Sequence, residues 1–348
     1  MSSNLKDTLQ QFLYMIVLII SFFTILMYML SMGLGILVVF STADGLTFSA
    51  KPYSLYPLLF VDAKITVNAG LYFIFLWWIF ALCFAAAWKY RNSLFSETRR
   101  FFSSNTKRSV FQNNLLAMPI ITSTLLVAIF ALLILQGLGG VDTGSLPKGD
   151  PFFDFLAVSR APLVEELAFR ILPFGAFLVT YIFLIGKRTR PHFSWGQRFK
   201  ACLLSVLQPE KGKEMVGLKT IGGNGWFGGI VWAEWLMIIF TALLFGVAHY
   251  LGGWGPGKIS QATMSGVVFA LAYLYYGIQA PILLHWFFNY YFTVFNLSSQ
   301  YLGVDLLSLS WITSLLLGIV MWITIVVLGI AKISRRKPEP IPVPVPPF

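Results

Sequence analysis

The stretch Ala161-Pro-Leu-Val-Glu-Glu-Leu-Ala-Phe-Arg170 places two adjacent glutamates and an arginine inside a long apolar segment, about 152–185. A charge in hydrocarbon is costly, so membrane segments keep such residues where they have a partner or a function. Two further apolar segments each carry a histidine, His249 and His285, and the second also carries Asn289. Three apolar segments that supply carboxylates, imidazoles and an amide predict a buried catalytic site.

The composition of the whole chain is that of a membrane protein with several spans. Of its 348 residues, 57% are hydrophobic and 11% are charged, whereas a soluble domain has about 25% charged residues. The formal net charge of +11 comes from short basic clusters beside apolar segments, a pattern that the positive-inside rule explains. Because no aromatic and basic recognition motif accompanies the charge, we expect a lipid bilayer and no nucleic acid as a partner.

Apolar segments of roughly 20 residues, the length that crosses a bilayer, recur along the chain. The turn sequence Gly277-Ile-Gln-Ala-Pro281 divides a run that is too long for one helix, and Pro162 and Pro173 bend the fourth segment. The sequence therefore predicts an all-α fold, a polytopic membrane helix bundle of about eight transmembrane helices. The candidate spans are about 12–40, 68–88, 115–138, 152–185, 231–250, 262–278, 282–297 and 310–331.

Basic residues alternate between the segments that connect these spans. Segments 89–108, 187–219 and 332–337 are basic, and the intervening connections carry few basic residues. Eight spans with both termini in the cytoplasm place every basic cluster on the cytoplasmic side. We therefore predict one membrane-embedded domain, 1–335, followed by a proline-rich cytoplasmic tail, 336–348.

The longest basic loop, about 186–230, contains a segment rich in aromatic, aliphatic and basic residues, 193–207. This composition is typical of a helix that lies in the membrane interface. An ordinary helix packed on the bundle fits the same residues, so both interpretations stay open. Glu234, at the start of the fifth span, is interpreted as a residue near the interface that needs no catalytic role.

The charged stretch contains a pair and a separate carboxylate. Glu166 and Arg170 are four residues apart, so on a helix they share a face and can form an ion pair. Glu165 lies about 100° further round the helix and is free of that pair. A carboxylate in a partly dry site beside an imidazole is a suitable general base. A purely structural polar cluster between helices is the alternative.

The two histidine segments offer complementary groups. His285 and Asn289 are four residues apart and share a helix face, where imidazole and amide can donate hydrogen bonds to an oxyanion. Hydrogen bonding between helices is the alternative explanation for that pair. A lone histidine in the position of His249 is more often an interface anchor or a satisfied core residue than a catalytic group.

In this order along the chain, Glu165-Glu166-x-x-x-Arg170, Phe245-x-x-x-His249 and His285-x-x-x-Asn289 resemble the motifs of a known family. It is the CAAX protease and bacteriocin-processing family, which includes the Ras-converting CAAX endopeptidases. The resemblance covers about 150–295 and leaves the first three helices outside it. It implies an eight-helix membrane fold and an intramembrane glutamic endopeptidase that needs no metal or other cofactor.

The same resemblance implies a role for each motif residue. Glu165 and His249 would activate a water molecule, and His285 and Asn289 would stabilise the oxyanion. The implied substrate is a peptide or protein, either of the CAAX type and prenylated or otherwise associated with the membrane. The implied supporting residues are Glu166, Arg170 and Phe245.

Two features separate this chain from the family pattern. The interval between Arg170 and His249 is longer than the family leads us to expect. The charge-based topology places Glu165 in mid-membrane, His249 towards the outer end and His285 nearer the cytoplasm, whereas CAAX-cleaving relatives are expected to act on cytosolic substrates. Two other functions stay open: a zinc site formed by Glu165, His249 and His285, and a non-catalytic protein that conducts protons or binds a partner.

Overall fold

A computed structural model shows the chain folded into a bundle of helices. It describes residues 3–55, 65–90, 92–103, 110–145, 149–190 and 192–333. The predicted tail at 336–348 lies outside these residues, as do parts of the basic segments 89–108 and 332–337.

The elements in chain order are α1 Ser3–Ser41, α2 Ala43–Ser49, β1 Pro52–Leu55, β2 Ile65–Asn68, α3 Ala69–Lys89, α4 Leu94–Ser103, α5 Asn114–Leu138, α6 Pro151–Glu166, α7 Pro173–Thr189, α8 Trp195–Leu207, α9 Pro209–Met215, α10 Ile221–Gly229, α11 Trp232–Leu251, α12 Gly257–Tyr276, α13 Gln279–Trp286, α14 Phe292–Leu302 and α15 Leu307–Ile333. A 3₁₀ turn, Val110–Gln112, precedes α5. π-helical turns, Leu167–Ile171 and Phe287–Tyr291, join α6 to α7 and α13 to α14.

The predicted all-α membrane bundle is confirmed, with one small addition. The strands β1 and β2 pair antiparallel, with Pro52 opposite Asn68 and Leu55 opposite Ile65, and connect α2 to α3. Among the described residues, six helical segments are long and apolar enough to cross a membrane. They are Phe12–Ser41, Ala69–Lys89, Asn114–Leu138, Pro151–Thr189, Trp232–Leu251 and Leu307–Val327.

The two remaining predicted spans do form helices, but they differ from the six in their surroundings. The span 262–278 corresponds to α12, whose first half carries polar residues, and 282–297 corresponds to α13 and α14. Every residue of α13 is buried, because this helix packs against α3, α5, α6 and α12. A helix enclosed by protein on all sides does not need the uniformly apolar surface of a lipid-facing span. The count of eight spans therefore remains a prediction.

Side-chain caps begin several of the helices where the chain enters the bundle. The side chain of Asn113 accepts a hydrogen bond from the backbone N–H of Leu116 and donates to the carbonyl oxygen of Asn92. Asp150 accepts in the same way from the N–H groups of Phe152 and Phe153. Because the first N–H groups of a helix have no partner inside it, such caps fix where α5 and α6 start.

The basic loop contains the three short helices α8, α9 and α10. A capping box between Ser194 and Gln197 begins α8, which packs against α7 and α9. Its residues Trp195, Phe199 and Leu203 are spaced by four, and their side chains are exposed. An exposed apolar stripe on a helix packed beside the bundle favours an interfacial position.

Candidate active site

Glu165, His249 and His285 lie on three different helices and meet inside the bundle. Glu165 is in the last turn of α6, His249 in the last turn of α11 and His285 in α13. Oε2 of Glu165 lies 4.0 Å from Nε2 of His249 and 3.7 Å from Nε2 of His285. Asn289, in the π-helical turn after α13, places its Nδ2 3.3 Å from Nε2 of His285. The structure thus brings together the four side chains for which the sequence predicts a catalytic role.

Both histidines have one ring nitrogen held by a hydrogen bond. Nδ1 of His249 lies 2.8 Å from the carbonyl oxygen of Phe245, which can only accept, so Nδ1 carries the hydrogen. Nδ1 of His285 donates in the same way to Oε1 of Glu166 at 2.8 Å. In the neutral rings Nε2 is then the acceptor, and both Nε2 atoms face the carboxylate of Glu165. Nε2 of His285 already accepts from Nδ2 of Asn289, so Oε2 of Glu165 and Nε2 of His249 are the acceptors that suit a group that supplies protons, such as a water molecule.

The predicted contact between Glu166 and Arg170 is confirmed. Nη1 of Arg170 donates to Oε1 of Glu166 at 3.1 Å, and both side chains are completely buried. The guanidinium lies over the ring of Phe245, 4.1 Å from the ring centroid, in a cation–π contact. That ring meets His249 and His285 edge-on, with centroid distances of 4.6 Å and 5.7 Å. The ion pair and the phenylalanine therefore pack directly against the two imidazoles.

Two π-helical turns shape the backbone at the site. One spans Leu167–Ile171 and contains Arg170. Pro173 comes two residues after its end, and because proline has no N–H, the carbonyl group four residues earlier loses its α-helical donor. The other turn spans Phe287–Tyr291 and contains Asn289. A π turn adds one residue to a helix and so rotates the side chains that follow it, which explains why such turns are frequent at functional sites.

Gly266 on α12 makes room for the buried arginine. A Cβ atom at this position would lie 2.9 Å from Nη2 of Arg170 and 2.9 Å from the Cα atom of Ala242 on α11. Small residues let membrane helices approach closely. A side chain here would have to displace either the guanidinium or α11.

A cavity of about 160 Å³ adjoins the site. His249, His285 and Asn289 line it, together with apolar residues and with polar residues of α12. Glu165 is not part of this lining, but its carboxylate contacts both lining histidines. Oε2 of Glu165 is buried and makes no hydrogen bond within the described part of the chain. The cavity has room for a small group beside the histidines, with a free carboxylate oxygen behind them.

The sequence predicts different membrane depths for the carboxylate of Glu165 and the imidazole of His249. Glu165 lies about 21 Å along α6 from Pro151, at 1.5 Å per residue, whereas His249 is in the last turn of α11. Their polar atoms are nevertheless 4.0 Å apart. The last turn of α11 therefore lies beside the last turn of α6, and the membrane depth of this shared site remains a prediction.

One alternative that the sequence leaves open is a metal site. In the stretches that the structure describes, no group of three or more His, Cys, Asp or Glu side chains is arranged to hold a metal ion. The zinc site that the sequence leaves open, from Glu165, His249 and His285, is not among such groups and stays an untested alternative.

A family model described as "Type II CAAX prenyl endopeptidase Rce1-like" matches residues 147–291. The predicted family resemblance is confirmed. This Rce1-like segment runs from just before α6 to the second π-helical turn and contains every candidate site residue. Its family description supports a protease in a membrane. No curated protein and no solved structure matches the chain.

One contact in the Rce1-like segment was not predicted from the sequence. Oε1 of Glu166 accepts from His285 as well as from Arg170, although Glu166 and His285 are 119 positions apart. Spacing along one helix can indicate the partner four residues away but not a partner on another helix. Glu166 therefore joins the ion pair to the imidazole that faces Asn289.

Proposed function

We propose that the protein is an intramembrane endopeptidase of the CAAX type, in which Glu165 and His249 activate the water that attacks the peptide bond. The observation that carries the proposal is the approach of Oε2 of Glu165 to within 4.0 Å of the Nε2 atoms of His249 and His285. A general base must lie within hydrogen-bonding reach of the proton that it removes, directly or through one water. The Rce1-like match supports the same class of reaction.

In the proposed reaction a water molecule donates hydrogen bonds to Glu165 and to Nε2 of His249. As its oxygen attacks the carbonyl carbon of the substrate, one proton passes to Glu165, and the carbonyl oxygen becomes an oxyanion. When the carbon–nitrogen bond breaks, Glu165 returns the proton to the leaving amine. Glu165 must therefore stay beside the reacting atoms throughout, and its contacts with both imidazoles hold it there.

Asn289 and His285 are the proposed partners of the oxyanion. The amide of Asn289 donates through Nδ2, and donors aimed at a developing charge stabilise the transition state more than the substrate. His285 donates through Nε2 only in its doubly protonated form. The carboxylate of Glu166, which accepts from Nδ1, would balance that charge. Arg170 and Phe245 hold Glu166 and the rings in place.

The proposed substrate is a peptide or protein at the membrane, either a prenylated CAAX-type chain or another membrane-associated segment. With both termini in the cytoplasm, as the basic segments indicate, α11 starts on the cytoplasmic side and His249 lies near its far end. The cavity then opens towards the opposite face, unlike the cytosolic access expected for CAAX-cleaving relatives. Cysteine labelling in intact cells tests this orientation.

The labelling experiment uses a Cys83→Ser/Cys202→Ser background, since these are the two cysteines of the chain. Leu251→Cys reports on the end of α11, where the side chain is 78% exposed, and Lys219→Cys reports on the basic loop. An impermeant maleimide should label Leu251→Cys and spare Lys219→Cys. The reverse pattern would place the cavity on the cytoplasmic side.

Proteolysis itself is tested by comparing cells that carry the native chain with cells that carry Glu165→Gln. Peptides that appear only with the native chain identify the cleavage sites, which are then cleaved by purified protein in vesicles. Activity that survives a chelator supports water activation by Glu165, and inhibition reversed by added zinc would replace it with a metal mechanism. If no native-dependent cleavage is found while vesicles conduct protons, the non-catalytic alternative is correct.

A further inference from the structure

Lys258 is a cation in the cavity wall that the proposed reaction does not use. It is the second residue of α12 and lines the cavity with His249, His285 and Asn289. Its ammonium lies over the ring of Trp254, 4.3 Å from the centroid. No carboxylate within the described stretches lies at ion-pair distance from it. Its charge therefore remains available to a bound group.

The wall that contains Lys258 is polar along its length. Gln261 and Ser265 follow on the same face of α12, one and two turns further on, and both line the cavity. The hydroxyl of Ser265 and the amide of Gln261 are held by hydrogen bonds inside the protein. Aromatic residues, among them Phe245 and Phe269, form other parts of the lining. One polar strip thus leads from the ammonium at the start of α12 towards the catalytic groups.

We propose that Lys258 is a subsite that binds a carboxylate of the peptide substrate and so fixes which bond reaches Glu165. The inference rests on the proposed function, because it takes the ligand to be a peptide. An ammonium that is partly removed from water and lacks a carboxylate partner forms strong charge-assisted hydrogen bonds with one. The ring of Trp254 holds the ammonium in position before the substrate arrives, which lowers the entropy lost on binding.

One carboxylate matches the charge balance of the site. Arg170 is neutralised by Glu166, whereas no carboxylate of the described stretches lies at ion-pair distance from Lys258. A single additional negative charge is therefore tolerated next to the ammonium. A phosphate dianion would bring twice that charge to a region that already holds two carboxylates. The carboxylate can come from the end of the substrate chain or from an acidic side chain, and the experiment separates these sources.

The test uses three fluorogenic peptides that share one cleavable sequence, taken from the native-dependent cleavage sites. The first ends in a free carboxylate, the second in a carboxamide, and the third in a glutamate whose own terminus is a carboxamide. The full-length protein in lipid vesicles should cleave the free acid with a kcat/KM roughly 10- to 100-fold above the amide, mostly through KM, as expected for a hydrogen bond to a charged group. Cleavage of the third peptide at the rate of the acid would identify a side chain as an accepted source.

Lys258→Gln should abolish the preference by slowing the acid while leaving the amide unchanged, and Lys258→Arg should keep it, because the cation is retained. Trp254→Leu should weaken it without removing it. If Lys258→Gln does not fold, the acid-to-amide preference of Lys258→Arg and of Trp254→Leu tests the subsite instead.

Equal cleavage of acid and amide by the native protein would overturn the subsite. So would an equal loss for both peptides in Lys258→Gln, which would mean that the charge acts on Glu165 and not on the substrate. If the native protein cleaves none of the peptides, the proposed function fails instead. Binding of the labelled acid and amide to the Glu165→Gln protein then tests the subsite. Acid-selective binding that Lys258→Gln removes supports the subsite, and equal binding of acid and amide refutes it.

Discussion

Two buried ion pairs in this bundle use similar residues and differ in what surrounds them. Lys213 in α9 pairs with Glu234 in α11, and both side chains are almost completely buried. Lys213 also donates to the carbonyl oxygen of Gly229, and Glu234 accepts from the N–H of Val231. This pair ties α9, α10 and α11 together without any imidazole. Glu234 was predicted to lie near the interface without a catalytic role, and its buried contacts explain it structurally.

The second pair, Glu166 and Arg170, is open on one side. Oε1 of Glu166 accepts from both Arg170 and His285. Oε2 of Glu166 and two nitrogens of Arg170 make no hydrogen bond to any residue that the structure describes, whereas Oε1 of Glu234 lies 2.8 Å from Nζ of Lys213. Buried polar atoms are normally satisfied, so such exceptions call for an explanation. Here the pair adjoins a cavity, two histidines and a free carboxylate oxygen, which is the arrangement expected of a reaction site and not of a structural tie.

The largest effect is expected at Glu165, the carboxylate that belongs to neither pair. Glu165→Gln keeps shape and hydrogen bonding but cannot take a proton, so kcat should fall about 10²–10⁴-fold. Folded yield in detergent should equal that of the native chain. The matched control is Glu214→Gln, the same change at an exposed position of α9, which should leave kcat as it is. Full activity in Glu165→Gln would show that another group removes the proton.

The two ion pairs are compared directly by removing the cation of each. Arg170→Ala and Lys213→Met each leave a buried carboxylate unpaired, which costs about 3–5 kcal/mol. Both should therefore lower folded yield and the temperature of unfolding. Only Arg170→Ala should also reduce the kcat of the protein that does fold, because Glu166 then loses the group that orients it towards His285. A similar loss of kcat in Lys213→Met would remove the distinction between a structural pair and a catalytic one.

Asn289 tests the oxyanion side of the site. Asn289→Ala should lower kcat by about 10²–10³-fold, the size seen when one oxyanion donor is removed. KM should change little, since the hydrogen bond strengthens only as negative charge develops. A rise in KM at unchanged kcat, measured with the same fluorogenic peptide, would instead make Asn289 a substrate-binding residue.

The sequence predicted those parts of the site that depend on one helix. Spacing by four predicted the contact of Glu166 with Arg170 and the shared face of His285 and Asn289, because both are properties of a single helix. The meeting of the three helices was predicted from the polar residues in their apolar segments and from the family resemblance, and not from spacing. The bond between Glu166 and His285 was missed, since no periodicity connects positions 119 residues apart.

The fold shows the same limit. Of the eight spans predicted from apolar length, six are helical segments that can cross a membrane, because those segments present an apolar surface on their own. Apolar length could not establish whether α12 and α13 cross the membrane, because these helices contact protein and therefore need no uniformly apolar surface. The π-helical turns were also missed, as one added residue barely changes a hydrophobic pattern. Pro173 was predicted to bend its segment, and it lies two residues after one of these turns.

The smallest effect is expected at Phe245, whose ring joins the open pair to the histidines. Phe245→Leu keeps the backbone carbonyl that holds Nδ1 of His249, and removes the ring beneath the guanidinium of Arg170. Stability should fall by about 0.5–2 kcal/mol, the range for a cation–π contact, and kcat should fall by less than in Asn289→Ala. Thermal unfolding in detergent measures the loss of stability, and cleavage of the fluorogenic peptide measures kcat. Phe199→Leu, at a side chain that is 70% exposed on α8, is the control and should change neither. A loss of kcat as large as that of Glu165→Gln would mean that the ring, and not the carbonyl group, sets the orientation of His249.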